Sequence, residues 1–165
     1  MNENLEKVDH SALKVSQVTI IILNILAFVL NAPWLALAVA VVMLLGTVLK
    51  VPGFGFIYRY ALKPLGWVKP QVLSDHHEPH RFAQGFGGVV MAAGSLSLFL
   101  GVTALGWGLV WLVAALAALN AFAGFCVGCA MYYWLNRLSM PGFHQSPPPG
   151  TFPGMRPKGK VGYES

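Results

Sequence analysis

The stretch VSQVTIIILNILAFVLNAPWLALAVAVVMLLGTVL, residues 15–49, decides the fold, because between Lys14 and Lys50 it carries no charged side chain. A helix needs about 20 apolar residues to cross a bilayer, so this stretch can cross twice if it turns once. Asn31 and Pro33 in LNAPW supply the turn chemistry. A second uncharged stretch lies between Arg81 and Arg137 and is broken at LGVTALGWG, where glycines mark the turn. The 165-residue chain is 56% hydrophobic and 10% charged, with a mean hydropathy of +0.61, whereas soluble domains carry about 25% charge. These features predict an all-α polytopic membrane protein. Its four transmembrane helices are expected near 15–30, 34–49, 86–104 and 107–125, with an interfacial segment over 50–81. Strands of a barrel would alternate in polarity over about 10 residues and are excluded.

The leader, residues 1–14, mixes Glu3, Glu6 and Asp9 with Lys7 and Lys14, and no small-x-small cleavage site follows it. It reads as the cytoplasmic lead-in to an uncleaved first span. All 11 Lys and Arg residues fall in the leader, in the connection 50–81, or from Arg137 onward. An even number of spans puts these three regions on one side. The positive-inside rule makes that side cytoplasmic, in a bacterial-type inner membrane, with both termini inside. The net charge of +5 then signifies attraction to anionic headgroups, and the tail cations are too sparse for nucleic acid. In the connection, FGFIYRYALKPLGWV (residues 54–68) interleaves aromatic rings with cations, as suits the headgroup zone. The tail, residues 139–165, contains SPPPGTFPGMRPKGKVGYES, too rich in Pro and Gly to bury a core, and is expected to be disordered.

The chain also resembles itself. LKVSQV (Leu13–Val18) and HRFAQG (His80–Gly85) each lead into the first span of a hairpin, and both read cation, apolar, small, Gln. WLALAVAVVMLLG from Trp34 pairs with WGLVWLVAALAALN from Trp107, and VPGFGFIYRYALKP lies over GFCVGCAMYYWLNR. This predicts two hairpin repeats in parallel orientation about an axis along the membrane normal. Gly53 and Phe56 stand in the first copy where Cys126 and Cys129 stand in the second, so thiol chemistry belongs to one half only.

EPHRFAQG, the four-span layout and LNAFAGFCVGCAMYYWL together resemble an uncharacterised family of bacterial integral membrane proteins, domain-of-unknown-function family 4395, over about residues 8–138. The family's Gly-Phe-Cys-x-Gly-Cys ending is matched by Gly124, Phe125, Cys126, Gly128 and Cys129. Its Pro-Arg-Phe-Ala-Gln segment is matched only over residues 81–84, with His80 in place of Pro, and HSALKVSQ departs further. The resemblance implies a fold, a membrane location and a thioredoxin-like or rhodanese-like partner, and brings no reaction with it.

Cys126 and Cys129 are the only two cysteines. On a continuous helix they lie away from the small-residue stripe of Ala117, Asn120, Ala121, Gly124 and Gly128, so close packing alone does not explain them. Three readings stay open: structural hydrophobes, thiol or sulfur exchange at the cytoplasmic face, and metal binding. Against exchange, the pair is expected at the carboxyl-terminal part of a span, where a helix opposes thiolate formation. An i, i+3 helical pair also holds its Cβ atoms too far apart for a disulfide. Unwinding at Gly124 or Gly128 would remove both objections. A metal site would draw on Cys126, Cys129, His76, His77 and His80, and a single CxxC is half of such a site. His80, Arg81 and Gln84 are candidates for positioning the thiols or for contacting headgroups. Asn24 and Asn120 are expected to bond neighbouring helices. No ionisable residue falls within the predicted spans, which argues against a proton-coupled carrier or ion channel, and no cofactor motif is present. The leading reading is thiol or sulfur handling by Cys126 and Cys129, with the segment Asp75–Arg81 beside them. An accessory subunit of a larger membrane complex, packing through GFGGVVMAAG, is the alternative, followed by a small-solute channel built by oligomerisation.

Overall fold

The computed structural model describes residues 6–62, 64, 72–147 and 150–156. Four apolar helices form the body: α1 (His10–Val29), α2 (Pro33–Val48), α4 (His77–Phe99) and α5 (Thr103–Ala118), the last running on as a π-helical turn over Leu119–Ala123. A short α3 (Gly55–Ile57) continues as a π-helical turn (Tyr58–Leu62), and α6 (Val127–Arg137) follows the body. Three helices, His10–Val29, His77–Phe99 and Thr103–Ala123, are long and apolar enough to cross a membrane, while Pro33–Val48 is apolar but shorter.

The predicted turns fall where left-handed residues end helices. Asn31 (φ 47°) follows α1 and Gly101 (φ 82°) follows α4. At each, the next amide reaches back five residues, Ala32 N to Ala27 O at 2.8 Å and Val102 N to Ser97 O at 2.9 Å, satisfying carbonyls that the helix end would leave open. Pro33 then occupies the first turn of α2, where its missing N–H costs nothing.

Helix α4 packs against α2, α5 and α6, and α1 packs against α2 and α5. The core between them is built from Ile20, Ala27, Val39, Met43, Met91 and Val110. Small residues set the α4–α5 distance, with Gly94 lying against the Gly106 carbonyl. The outward surface is as apolar as the core. Val29, Leu30, Trp34, Val48, Leu100 and Leu105 are all more than half exposed, a patch far larger than a water-facing monomer tolerates. Asn24, 2% exposed, donates from Nδ2 to Met91 Sδ across the α1–α4 contact at 3.8 Å.

The sequence reading did not anticipate one antiparallel ribbon, β1 (Glu6–Asp9) with β2 (Val72–Asp75), in register Glu6↔Asp75 to Asp9↔Val72. It ties the leader to the connection ahead of α4. Two predicted boundaries also shift. The third helix begins at His77 rather than near 86, so HRFAQG forms its first turns. The fourth ends at Ala123, and the cysteines fall outside it. Residues 150–156, in the tail expected to be disordered, lie against the segment that follows α5: Cys126 N donates to Gly154 O (2.7 Å) and Arg156 N to Gly124 O (2.9 Å). Of the interfacial segment, residues 63 and 65–71 lie outside the described residues.

Candidate functional site

The expectation that the cysteines ride the carboxyl-terminal part of a span is corrected by the backbone at Gly124. Its φ of +68° and ψ of 20° are left-handed, a conformation that costs an L-residue about 1–2 kcal/mol and glycine little. The apolar helix stops there, Phe125 pairs with Met155, and Cys126 is extended (φ −97°, ψ 104°) as the N-cap of α6. The same residues that would have been one helical face now form the entrance to a new helix. Gly128 lets that helix press on α4, since a Cβ there would meet Ala83 Cβ at 2.5 Å. Phe82, Tyr132 and Phe143 pack edge to face around the contact.

Both geometric objections to thiol chemistry therefore fall. Cys126 and Cys129 form a disulfide with Cα atoms 5.2 Å apart, within the range a bridge needs, and Cys126 is extended rather than helical. Cys126 Sγ accepts the Cys129 N–H at 3.2 Å. The sulfur thus sits where an amino-terminal helix end stabilises thiolate.

His80, in the first turns of α4, places Nδ1 3.4 Å from Cys129 Sγ and Nε2 3.0 Å from Asp75 Oδ2. Asp75 ends β2, accepts His76 N–H on Oδ1 at 2.8 Å, and has His10 Nε2 3.3 Å from Oδ2. Burial pushes the Asp75 carboxyl up, but the side chains of His10 and His80, the His80 charge and the His76 amide outweigh it. The carboxyl is held well below the ordinary carboxylate range. An ionised Asp75 can only accept, so when the His80 imidazole is neutral its proton sits on Nε2 and the Nδ1 lone pair faces the sulfur. Tyr133, also buried here, has its phenol pushed up by burial and by the charge of Asp75.

Two cavities meet at the pair. A polar pocket is lined by His10, Asp75, His80, Tyr133, Arg156 and both cysteines. A larger, apolar cavity of about 150 Å³ lies between α1, α4 and α5 and reaches His80 and Cys126, but Cys129 does not line it.

The structure brings together Cys126, Cys129 and His80, whose donor atoms lie within 4.8 Å of one another. It does not bring His76 or His77 to them: among the described residues, the groups close enough to share an ion are His80, Cys126 and Cys129, or His10, Asp75 and His80. His77 is exposed. Arg81 Nη2 donates to Thr47 O (3.3 Å). Gln84 donates to Met43 O (2.9 Å) and accepts Gly53 N–H (3.3 Å), fastening the end of α2 and the segment after it. His10 and Arg156 were missed because the ribbon and the tail contact that deliver them leave no local signature in the sequence, whereas Tyr133 arrives on α6 itself. The nearest signal is that His10 follows a leader able to pair as a strand.

A family model described as "Domain of unknown function (DUF4395)" matches residues 8–137. No curated protein and no solved structure matches the chain.

Proposed function

The chain belongs to the DUF4395 family, whose description names no reaction, and from the geometry of the site we propose that it is a membrane thiol–disulfide exchange protein acting through Cys126 and Cys129. The observation that carries this reading is the disulfide at the amino end of α6, with His80 Nδ1 3.4 Å from Cys129 Sγ. A partner thiolate entering the polar pocket attacks Cys129 Sγ. The S–S bond breaks, and its electron pair leaves on Cys126, where the Cys129 N–H and the helix end receive the charge; a stabilised leaving thiolate speeds exchange. A second partner thiol then displaces Cys129, whose thiolate takes a proton through His80. One partner dithiol is oxidised and the protein pair is reduced.

The membrane setting proposed with it is a four-span inner-membrane protein with both termini cytoplasmic, the shorter Pro33–Val48 being the second span. Helix contacts support two parallel repeats: if α1 corresponds to α4 and α2 to α5, the α2–α4 contact corresponds to α5–α1, and both exist. On a cytoplasmic face a disulfide is a working intermediate rather than a staple, and a thioredoxin-like or rhodanese-like protein is the proposed partner. Once reduced, the same sulfurs and His80 could hold a soft metal ion, a second reading that their 4.8 Å clustering favours.

The test uses the full chain in lipid nanodiscs, equilibrated with glutathione redox buffers and trapped by alkylation. The reading expects one two-electron transition between dithiol and disulfide without loss of fold, and mixed-disulfide capture by Cys126→Ser. A pair that exchanges with neither glutathione nor thioredoxin while the protein stays folded would overturn it, and stoichiometric zinc uptake by that reduced pair would install the metal reading.

A further inference from the structure

Resting on the exchange reading, we infer that the apolar cavity is the docking site of a quinone-class oxidant delivered from the bilayer, so that the cysteine pair relays two electrons from a thiol on its polar side to a quinone on its apolar side. The two sulfurs are not equivalent in their surroundings. Cys126 lines both spaces, whereas Cys129 lines only the polar pocket. The partner that meets Cys126 from the larger cavity therefore enters among Ile20, Val90, Val113 and Ala117, a lining that favours an apolar molecule over an ionic one.

Size, access and chemistry narrow the occupant. A cavity of about 150 Å³ is one that a single six-membered ring fills. Phe86, Leu112 and Met131, which border it, are 43%, 48% and 38% exposed on the apolar outer surface, so the ring arrives sideways from acyl chains. Gln17, also in the lining, holds a buried Oε1 with no partner among the described atoms. Such an orphaned acceptor is costly in an apolar setting, and the O–H of a hydroquinone would satisfy it. A dithiol reoxidised inside such a space needs a two-electron, two-proton acceptor soluble in lipid, which is what a quinone is.

The step balances. In the reduced protein Cys126 gives up its proton and the thiolate bonds to a quinone ring carbon, the carbonyl oxygen taking the proton that Cys126 released. Cys129 passes its proton to His80 Nδ1, and its thiolate attacks Cys126 Sγ. The S–S bond forms, the S–C bond breaks, and the electron pair returns to the ring. The hydroquinone anion takes the second proton. Dithiol plus quinone becomes disulfide plus hydroquinone.

The experiment reduces the full chain in nanodiscs, removes reductant anaerobically, and adds decylubiquinone while thiols are counted by alkylation and the quinone by its ultraviolet absorbance. The expected result is one quinone reduced for each cysteine pair lost. Ala117→Phe, which fills the cavity from α5, should slow this at least about tenfold and leave exchange with oxidised glutathione, which enters at the polar pocket, within about twofold. Gln17→Leu, close in volume, should slow it too and serves where Ala117→Phe fails to fold. A folded parent that fails to exchange with oxidised glutathione would overturn the exchange reading itself. Glutathione exchange without quinone reduction, or quinone reduction unchanged in a folded variant, would overturn the relay alone.

Discussion

Replacing Asp75 by Asn keeps the size of the side chain and reverses what it asks of His80. The carboxylate oxygen 3.0 Å from His80 Nε2 can only accept, which leaves Nδ1 as a lone pair 3.4 Å from Cys129 Sγ. An Asn amide in the same place can donate to Nε2, and the ring then carries its proton on Nδ1, facing the sulfur with a donor where a base is needed. A positioned base contributes about 10²–10⁴ in rate, which is about 3–5 kcal/mol of barrier at about 1.36 kcal/mol per decade. We expect Asp75→Asn to slow oxidation of the reduced pair by oxidised glutathione at about pH 7 by at least about 10². The assay is quenched-flow alkylation in nanodiscs, repeated across pH. Without its base, Cys129 must lose its proton to solvent hydroxide, so the variant should recover about tenfold for each pH unit until the thiol titrates by itself. Damage to packing alone would give no such recovery. A folded variant within about threefold of the parent at about pH 7, with a parallel pH profile, would refute the assignment of Asp75 and His80.

Acid should test the same carboxylate through stability. Its folded-state pKa lies below the ordinary 3.8, so its contribution is fully present above that ordinary value and is lost as pH falls from there through the folded-state value. The thermal midpoint in detergent should drop more steeply below about pH 4 for the parent than for Asp75→Asn, and equal slopes would contradict this. Gln84→Ala should cost about 1–3 kcal/mol by stranding the Gly53 amide and removing the donor to Met43 O. Guanidinium or thermal unfolding in nanodiscs measures it, and a loss under about 0.5 kcal/mol would mean that water replaces both bonds.

What could be read from the sequence was set by one-dimensional patterns. Charge-free runs gave the apolar helices, and Asn31, Pro33 and Gly101 gave their turns, because lipid tolerates few other solutions for a backbone. Gly124 and the cysteine spacing were visible as well, but a helical wheel carried through Gly124 put Cys126 in the wrong conformation. A left-handed glycine and a continuing helix look the same in sequence until something nearby takes up the freed backbone N–H and C=O groups. Here Gly154 and its neighbours do so, from a tail whose composition predicts no packing. His10 was invisible for a related reason. It meets Asp75 through a two-stranded ribbon of mixed apolar and polar residues, and cross-chain pairing of so short a pair has no periodic signature.

The break at Gly124 links the membrane architecture to the chemistry. Had the fourth apolar helix continued, both sulfurs would have lain on its flank and the amide of Cys129 would have been used inside the helix. Ending the helix releases that amide to Cys126 Sγ at 3.2 Å and turns α6 back onto α4 through Gly128. That return brings Cys129 to His80, which the ribbon has already oriented through Asp75. One left-handed residue thereby converts an apolar segment into a junction between a lipid-facing cavity and a polar pocket. The first half of the chain, with Gly53 and Phe56 at the corresponding positions, makes a short helix of its own there and carries no sulfur. On the proposed repeat and exchange readings, the difference between the two halves lies at the cysteine pair.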